Sequence, residues 1–372
     1  MQALLKTQRR RRGWRMSSIP KITVIDAFAG AGGLSLGLKW AGLDLRCAFD
    51  ANIYAVKTYR RNFKHPILHK RIEEITREEL LNAAGLKEGE FDLLVGGPPC
   101  QGFSVRRRGE DKDPRNKLVL EFGRLIAELK PTFFLMENVP GLVGRRGKEY
   151  LESFKLLLNA EGYELHIAKL DASDFGVPQI RKRVFVVGEK IINGKTFFEF
   201  PGEEYKVKEK VTVRQALQGL PSPPDDFTEH PEIANHKRER TSKLNQLRIS
   251  FVPQGGGREY IPEELQLECH KRASVEKAGH RYSYGRLAWD EPAATITARF
   301  DSFTRGKFAH PEENRTITLR EGARLQTFPD DFVFEGPKVE VAKQIGNAVP
   351  PLLGKVLGLS IIEAFKKRRS EL

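Results

Sequence analysis

The sequence predicts an α/β protein: a Rossmann-like, doubly wound sheet, with a smaller, irregular, β-rich domain inserted before the last helix. Three observations carry this prediction. Apolar, β-branched runs alternate with amphipathic stretches from Lys21 to about Ile192. A glycine-rich turn follows the first run, and an acidic residue, Asp50, closes the second. The alternation lapses over residues 193–310, where Gly255-Gly-Gly257, prolines and short strand-like runs replace it, and it resumes as an amphipathic helix over Leu352–Phe365. The expected division is 1–18 as a basic disordered arm, 19–190 as the first domain, 191–330 as the insertion and 331–372 as the return.

The arm carries Arg9–Arg12, Trp14 and Arg15 with no apolar stretch behind them, unlike a secretory signal, and Met16 is a second candidate start. Lys21–Ala27 reads as a buried strand, Gly30, Gly32 and Gly33 as the turn, Leu34–Trp40 as a helix, and Leu43–Phe49 as the second strand. A glycine turn followed some 20 residues later by an acid is a nucleotide-binding arrangement. The third glycine of the dinucleotide pattern is missing, so a phosphate-free nucleoside such as S-adenosylmethionine fits better than NAD; such turns also serve packing alone. Further strands are expected at Phe91–Val95, Thr132–Met136 and Val184–Gly188. Ligands of open α/β sheets sit beyond the carboxyl ends of the strands. Cys100 and Glu137 each lie just past such an end and can face one crevice.

Composition narrows the function classes. The chain has 63 Lys+Arg against 49 Asp+Glu, a net charge of +14, which points to a polyanion such as nucleic acid. No apolar run is expected to approach the roughly 18–20 residues a membrane span requires, which excludes a transmembrane protein. Three cysteines, Cys47, Cys100 and Cys269, are too few for a disulfide framework or a Cys-based zinc site. Their scarcity suits a cytoplasmic location, and no metal is expected.

A lone cysteine is usually a small buried hydrophobe. Cys100 differs in following Gly96-Gly-Pro-Pro99, a stiff loop suited to presenting a nucleophile. Burial at its strand end would raise the pKa of Glu137, and Asn138 can bond a base edge or fix the turn. Arg181 and Arg183 are spaced to face one side of an extended segment, with Gln179 beside them and Lys182 opposite; a charge-protected edge strand reads the same way. A thiolate adding to carbon 6 of cytosine, with a carboxylic acid at ring nitrogen 3, makes carbon 5 nucleophilic enough to accept a sulfonium methyl. The base must first leave the duplex.

With these residues in view, the chain resembles the cytosine-5 DNA methyltransferase family from about Ile22 to Ala364. Asp26-Ala-Phe-Ala-Gly-Ala-Gly-Gly33 is similar to the cofactor loop, Gly97-Pro-Pro-Cys-Gln-Gly-Phe-Ser104 to the catalytic loop, Glu137-Asn-Val to the carboxylate motif and Gln179-x-Arg-x-Arg183 to the arginine motif. Arg320-Glu-Gly-Ala-Arg-Leu-Gln-Thr-Phe-Pro329 and Gln344-Ile-Gly-Asn-Ala-Val-Pro350 resemble the last two motifs. The resemblance implies an S-adenosylmethionine-dependent enzyme with Cys100, Glu137, Arg181 and Arg183 as its catalytic set. It implies cofactor contacts at Phe28, Gly30, Gly33, Asp50 and Ile72, and at Pro99, Leu118, Asn347 and Val349. It places Gln101, Ser104, Asn138 and Gln179 on the DNA, and makes residues 190–310 the target-recognition domain.

Two positions depart from the pattern. Arg71-Ile72 stands where Asp-Ile is usual, so either cofactor affinity is lower or Glu73 or Glu74 takes over the adenine contact; Gly322 replaces a common Cys, a change expected to be structural. A zinc deaminase lacks support because Pro99-Cys100 has no second cysteine three residues on, where Phe103 stands. A tRNA cytosine-5 methyltransferase and a non-catalytic DNA-binding relative are the remaining alternatives. Candidate readers of the duplex are Arg286, Thr295, Thr297, Arg299, Ser302, Thr304 and Arg305, against strand alternation and phosphate contact as the ordinary explanations. Lys237, Arg238 and Arg240 suit phosphates or a solvated face. The implied partner is double-stranded DNA with a specific short sequence. The implied setting is a monomeric prokaryotic modification enzyme with a possible cognate nuclease encoded nearby.

Overall fold

The computed structural model describes residues 21–99, 117–271 and 282–372. Its apolar runs become strands β1 (Thr23–Ala27), β2 (Asp44–Asp50), β3 (Ile67–His69), β4 (Leu93–Gly96), β5 (Phe133–Asn138), β6 (Tyr163–Asp171) and β7 (Lys182–Lys190). They form one sheet in the order β3-β2-β1-β4-β5-β7-β6. Neighbours from β3 through β5 are parallel, and β7 runs antiparallel between β5 and β6. Parallel neighbours require crossovers, supplied by helices including α1 (Gly33–Ala41), α2 (Ile53–Asn62), α3 (Arg77–Ala84) and α4 (Leu118–Leu129), while α5 (Lys148–Ala160) leads from β5 past β7's place to β6. Every residue of β1 and β4 is buried, as expected for strands covered on both faces. The sequence analysis omits β3 and β6. The first is only three residues long; the second is an edge strand that alternates apolar and polar residues and buries only Tyr163.

The described residues divide into two compact units. One takes the sheet up to Phe175, Lys182–Lys206 and Val349–Leu372; the other takes Gly176–Arg181 and Val207–Ala348. In the sheet unit the core gathers Ile25, Phe49, Leu94, Phe122, Phe134 and Phe154, all fully buried. The last helix, Pro351–Arg369, packs on α1. The run Lys338–Arg369 holds a window long and apolar enough to cross a membrane, which the sequence analysis passes over; 78% of that window is buried inside the protein, the mark of a core helix.

Beneath the glycine turn runs a chain of polar side chains. Ser35 Oγ donates to Asp26 Oδ2 (2.5 Å) and meets Tyr59 Oη (2.7 Å), which meets His65 Nε2 (2.6 Å). Burial pushes the Asp26 carboxyl up to about 7, the Asp50 charge adding to the rise and the Ser35 bond opposing it. Burial pushes the His65 imidazole down to about 4, with Lys39 adding to the fall. The signs oppose. Folded Asp26 keeps a proton that the unfolded chain has released, so its contribution falls as pH rises from about 4 to 7, by on the order of 4 kcal/mol. The unfolded chain protonates His65 before the folded one does, so that contribution grows as pH rises from about 4 to 6.5. The two offset over most of this window. Asp26→Asn is therefore expected to convert a nearly flat stability profile into one that climbs with pH, as read by urea unfolding at several pH values. Parallel profiles for the two proteins would contradict the pairing.

The second unit holds fewer strands than the sequence predicts. Among its described residues the only sheet is the parallel pair β8 (Gly285–Arg286) and β9 (Lys307–Ala309); short helices occupy Val213–Leu217, Lys243–Ser250, Leu319–Leu325 and Lys338–Asn347. Buried guanidinia, more than strand ladders, tie this unit together. Arg320, 0% exposed, donates to the carbonyls of Ala234, Pro329 and Phe332. Arg315 and Glu321 form a buried pair at 2.8 Å that holds the Glu321 carboxyl down to about 2 against the cost of its burial. The unit's boundary also differs from the predicted 330. Residues 331–348 stay with it, because Phe332 and Phe334 pack with Phe328 and the Lys338–Asn347 helix packs on Leu319–Leu325.

Candidate active site

The site on the sheet unit grows from the carboxyl ends of β1, β2, β4 and β5. After β1 the chain must turn sharply, and Gly30 (φ 56) and Gly32 (φ 92) supply the left-handed conformations; Phe28 shares one (φ 56), a strained state for an aromatic residue. Its half-buried ring lies 6.0 Å from Phe49 and 6.5 Å from Phe122. The Gly30 amide donates to Asp50 Oδ2 at 2.8 Å and the Asn52 amide to Oδ1 at 2.7 Å, so the carboxylate braces the turn from the end of β2. Burial raises the Asp50 carboxyl above its usual range, while these amides pull it back. A strained aromatic, a bare glycine turn and a braced carboxylate suit a nucleoside with hydroxyls to offer.

Other cofactor candidates fall differently. Ile72 is 1% exposed, within the core, and its carbonyl accepts from Arg124 at 3.0 Å. Leu118 opens α4, Pro99 is exposed, and Val349 is buried. Arg71 is exposed and paired with Glu73 at 3.0 Å; against its slight burial, the Glu73 carboxyl is held low by its own backbone amide and then by Arg71, whose amide points to Glu74 at 3.5 Å. Both proposed substitutes for the missing Asp are thus engaged by Arg71 itself. Gly322 is structural, since a Cβ there would strike the Phe300 ring at 2.4 Å.

At the end of β5 the sequence expectation of a carboxyl isolated by burial gives way to an ion pair. Glu137 Oε1 lies 3.0 Å from Arg183 Nε, the two side chains being 12% and 17% exposed. The pairing of β4 with β5 sets Gly96 opposite Met136, so that Gly97 comes beside Glu137; a Cβ on Gly97 would stand 3.4 Å from Glu137 Oε2. Asn138 is buried, donates to the Pro98 carbonyl at 3.3 Å and accepts from the Val139 amide at 2.8 Å. Its amide fixes the loop, the second of the two roles its sequence allows. Cys100, Gln101 and Ser104 lie outside the described residues.

Arg183 falls in the sheet unit, Gln179 and Arg181 in the second unit. Both are buried, and their polar atoms meet the backbone of the second unit. Gln179 Nε2 donates to Leu325 O (2.8 Å) and Gln326 Oε1 (2.7 Å), and Gln179 Oε1 accepts from the Ile296 amide (3.0 Å). Arg181 donates to Ile296 O, Gly346 O and Ala348 O, each at 3.0 Å. This caps the carbonyl end of the Lys338–Asn347 helix. Gly346 lies so close to Thr297 that a Cβ would meet its carbonyl at 2.2 Å. Alternation along a strand therefore overstates the shared face: β7 begins only at Lys182, and Gln179 and Arg181 precede it.

Arg286 is a correction of the same kind. It is 4% exposed and donates to the carbonyls of Val252, His310, Glu313 and Ile249 and to Asn314 Oδ1, leaving no guanidinium edge for a base. Arg299 is half-buried and paired with Asp301 at 3.0 Å, Thr297 is half-buried, and Thr295 donates to Ile180 O at 2.7 Å. Arg238 is held by Asp225 and Glu313. Sequence reasoning misses Ser35, Tyr59 and His65 under the cofactor turn, and no spacing signal links them. Among the described residues no group of three or more His, Cys, Asp or Glu could hold a metal ion.

A family model described as C-5 cytosine-specific DNA methylase matches residues 22–363. The chain is 36% identical over 350 residues to Type II methyltransferase M1.HphI of Haemophilus parahaemolyticus, covering 92% of this chain and 87% of that protein. It is 35% identical over 346 residues to Type II methylase M.HgiDII of Herpetosiphon aurantiacus, covering 91% and 94%. Among solved structures, a putative DNA modification methyltransferase encoded within an E. coli prophage superposes with a TM-score of 0.66 at 28% identity, over 93% of this chain and 100% of that one.

Proposed function

The chain belongs to the C-5 cytosine-specific DNA methylase family and is a DNA cytosine-5 methyltransferase; from that premise we propose that it flips one cytosine out of a specific short duplex sequence and methylates it from S-adenosylmethionine, through a covalent Cys100 adduct at carbon 6. The observation that carries this reading is the Glu137–Arg183 pair beside Gly97, with Asn138 tethering Pro98 two residues before Cys100.

Each of these residues has a task. The Cys100 thiolate attacks carbon 6, forming the carbon–sulfur bond, while Glu137 steadies ring nitrogen 3 and Arg183 fixes the Glu137 carboxyl. Carbon 5 becomes nucleophilic as an enamine. Bound S-adenosylmethionine supplies the electrophilic methyl that carbon 5 accepts. A base then removes the carbon-5 proton, and the returning electron pair expels the Cys100 thiolate. Phe28, the Gly30–Gly33 turn and Asp50 would hold the cofactor's nucleoside, with Asn347, exposed at the end of its helix, as a further contact. Arg181 and Gln179 act as positioning residues for the backbone around Gly346. The second unit serves target recognition, with Thr297 and Arg299 among the contacts. The Type II names of its relatives support a restriction-modification setting; protection of host DNA beside a cognate nuclease, by a monomer in a prokaryotic cytoplasm, completes the proposal.

The test is transfer of tritiated methyl from S-adenosylmethionine to unmethylated genomic DNA and, in parallel, to unmodified tRNA. Label at carbon 5 of one cytosine in a recurring short sequence is expected. Label in tRNA alone would move the substrate to RNA, and label in neither would favour a non-catalytic DNA binder.

A further inference from the structure

Arg258 is buried in the second unit at 2% exposure, yet both terminal guanidinium nitrogens, Nη1 and Nη2, lack any hydrogen-bond partner. No other described arginine leaves both of these atoms buried in that state. The neighbouring Glu259 does not answer it, since its Oε1 accepts from the Gly257 amide at 2.9 Å. Burying an unpaired guanidinium is costly. Arg286, with bonds to four carbonyls and an amide oxygen, shows how this unit treats an arginine whose role is structural.

The surrounding loop, Pro253-Gln-Gly-Gly-Gly-Arg-Glu-Tyr260, carries three glycines in a row, Gly255 and Gly256 half-buried and Gly257 buried. At Gly255 (φ +76) nothing nearer than the Ala288 Cβ, at 3.8 Å, occupies the side-chain direction. One flank is tied to β8, the Gly255 amide donating to Arg286 O at 3.2 Å and the Arg286 amide to Gly256 O at 3.0 Å. Arg258 opens a single helical turn, Arg258–Tyr260, closed by main-chain bonds from Tyr260 to Gly257 and from Ile261 to Arg258. Phe251, two residues before the segment, and Tyr260, at its end, are 44% and 53% exposed. A turn held by so few bonds opens at low cost.

We propose that Arg258 is a DNA-phosphate ligand held inside the loop of the free protein, and that duplex binding opens the turn about the glycines and places the guanidinium on a phosphodiester. The proposal rests on the DNA methyltransferase reading above. The phosphodiester is the favoured partner because the chain carries a net charge of +14, the open side of Gly255 leaves room for a charged polymer, and the planar guanidinium matches two phosphate oxygens.

The test uses the full chain, as wild type, Arg258→Met and Arg258→Lys. Binding to the methylated target duplex and to an unrelated duplex is followed across a salt titration, and the Tm of each free protein is measured. Arg258→Met is expected to weaken both duplexes by about 10-fold and to lower the salt slope by about one, with the Tm of the free protein unchanged or raised. Arg258→Lys should restore the slope but only part of the affinity. A fall in Tm with an unchanged slope would make Arg258 structural and overturn the proposal. Loss confined to the target duplex would overturn it in favour of base reading. Wild-type protein that binds neither duplex would defeat the DNA reading itself, a failure distinct from a bound duplex indifferent to Arg258.

Discussion

Cys100→Ala is expected to abolish methyl transfer, by on the order of 10⁴-fold or more, while leaving duplex affinity and Tm near wild type. The expectation follows from the absence of a second suitable thiol in the sheet unit. Cys47 is fully buried in β2; burial pushes its thiol up to about 12, and its Sγ bonds only the Ala48 carbonyl at 3.5 Å. It yields no thiolate at neutral pH. Cys100, by contrast, follows β4 through Gly97-Pro-Pro, and Asn138 and Glu137 stand beside that segment. Without the thiolate, carbon 5 keeps its weak intrinsic nucleophilicity and no residue replaces the lost bond. Single-turnover assays on the target duplex, paired with binding measurements, read both halves of the prediction. Turnover within about tenfold of wild type would remove Cys100 from the mechanism.

Glu137→Gln is expected to lower kcat by about 10²–10⁴-fold, because an amide cannot share a proton with ring nitrogen 3. Its effect on stability should be small, since the amide oxygen can still accept from Arg183. Arg183→Met tests the other side of the pair. It leaves a mostly buried carboxylate uncompensated and should cost about 3 kcal/mol in urea unfolding, besides lowering kcat. The two changes share one interaction, so the double variant should lose much less than the product of the single losses in kcat. Independent, multiplicative losses would mean that Arg183 acts on the substrate without passing through Glu137. The split between a rate loss with little unfolding change for Glu137→Gln and both losses for Arg183→Met separates chemistry from positioning.

Much of this arrangement was legible before any coordinates, and the reasons differ by residue. The β1 turn was readable because backbone conformation demands glycine, and Asp50 because strand length sets its distance from Gly30. Glu137 was readable because it ends an apolar run whose pairing with β4 brings it beside Gly97; Cys100 lies outside the described residues. The roles of Gln179, Arg181 and Arg286 were not legible. Composition marks an arginine as basic, but it does not say whether its fork meets phosphate or, as here, the carbonyls of a poorly stranded unit. For the same reason the second unit's β content was overstated: Arg320 and the Arg315–Glu321 pair do the joining that strands would otherwise do. The Asp26–Ser35–Tyr59–His65 chain was hidden because its members share no sequence period, only a place beneath one turn.

The most direct test of the central claim is to trap the enzyme on a target duplex carrying 5-fluorocytosine in the presence of S-adenosylmethionine, then map the adduct by mass spectrometry. Fluorine at carbon 5 cannot leave as a proton, so the account predicts a stable covalent complex with the modified base on Cys100 and methyl at carbon 5. Methylation of ordinary DNA with no trapped complex, or an adduct on any other residue, would contradict it.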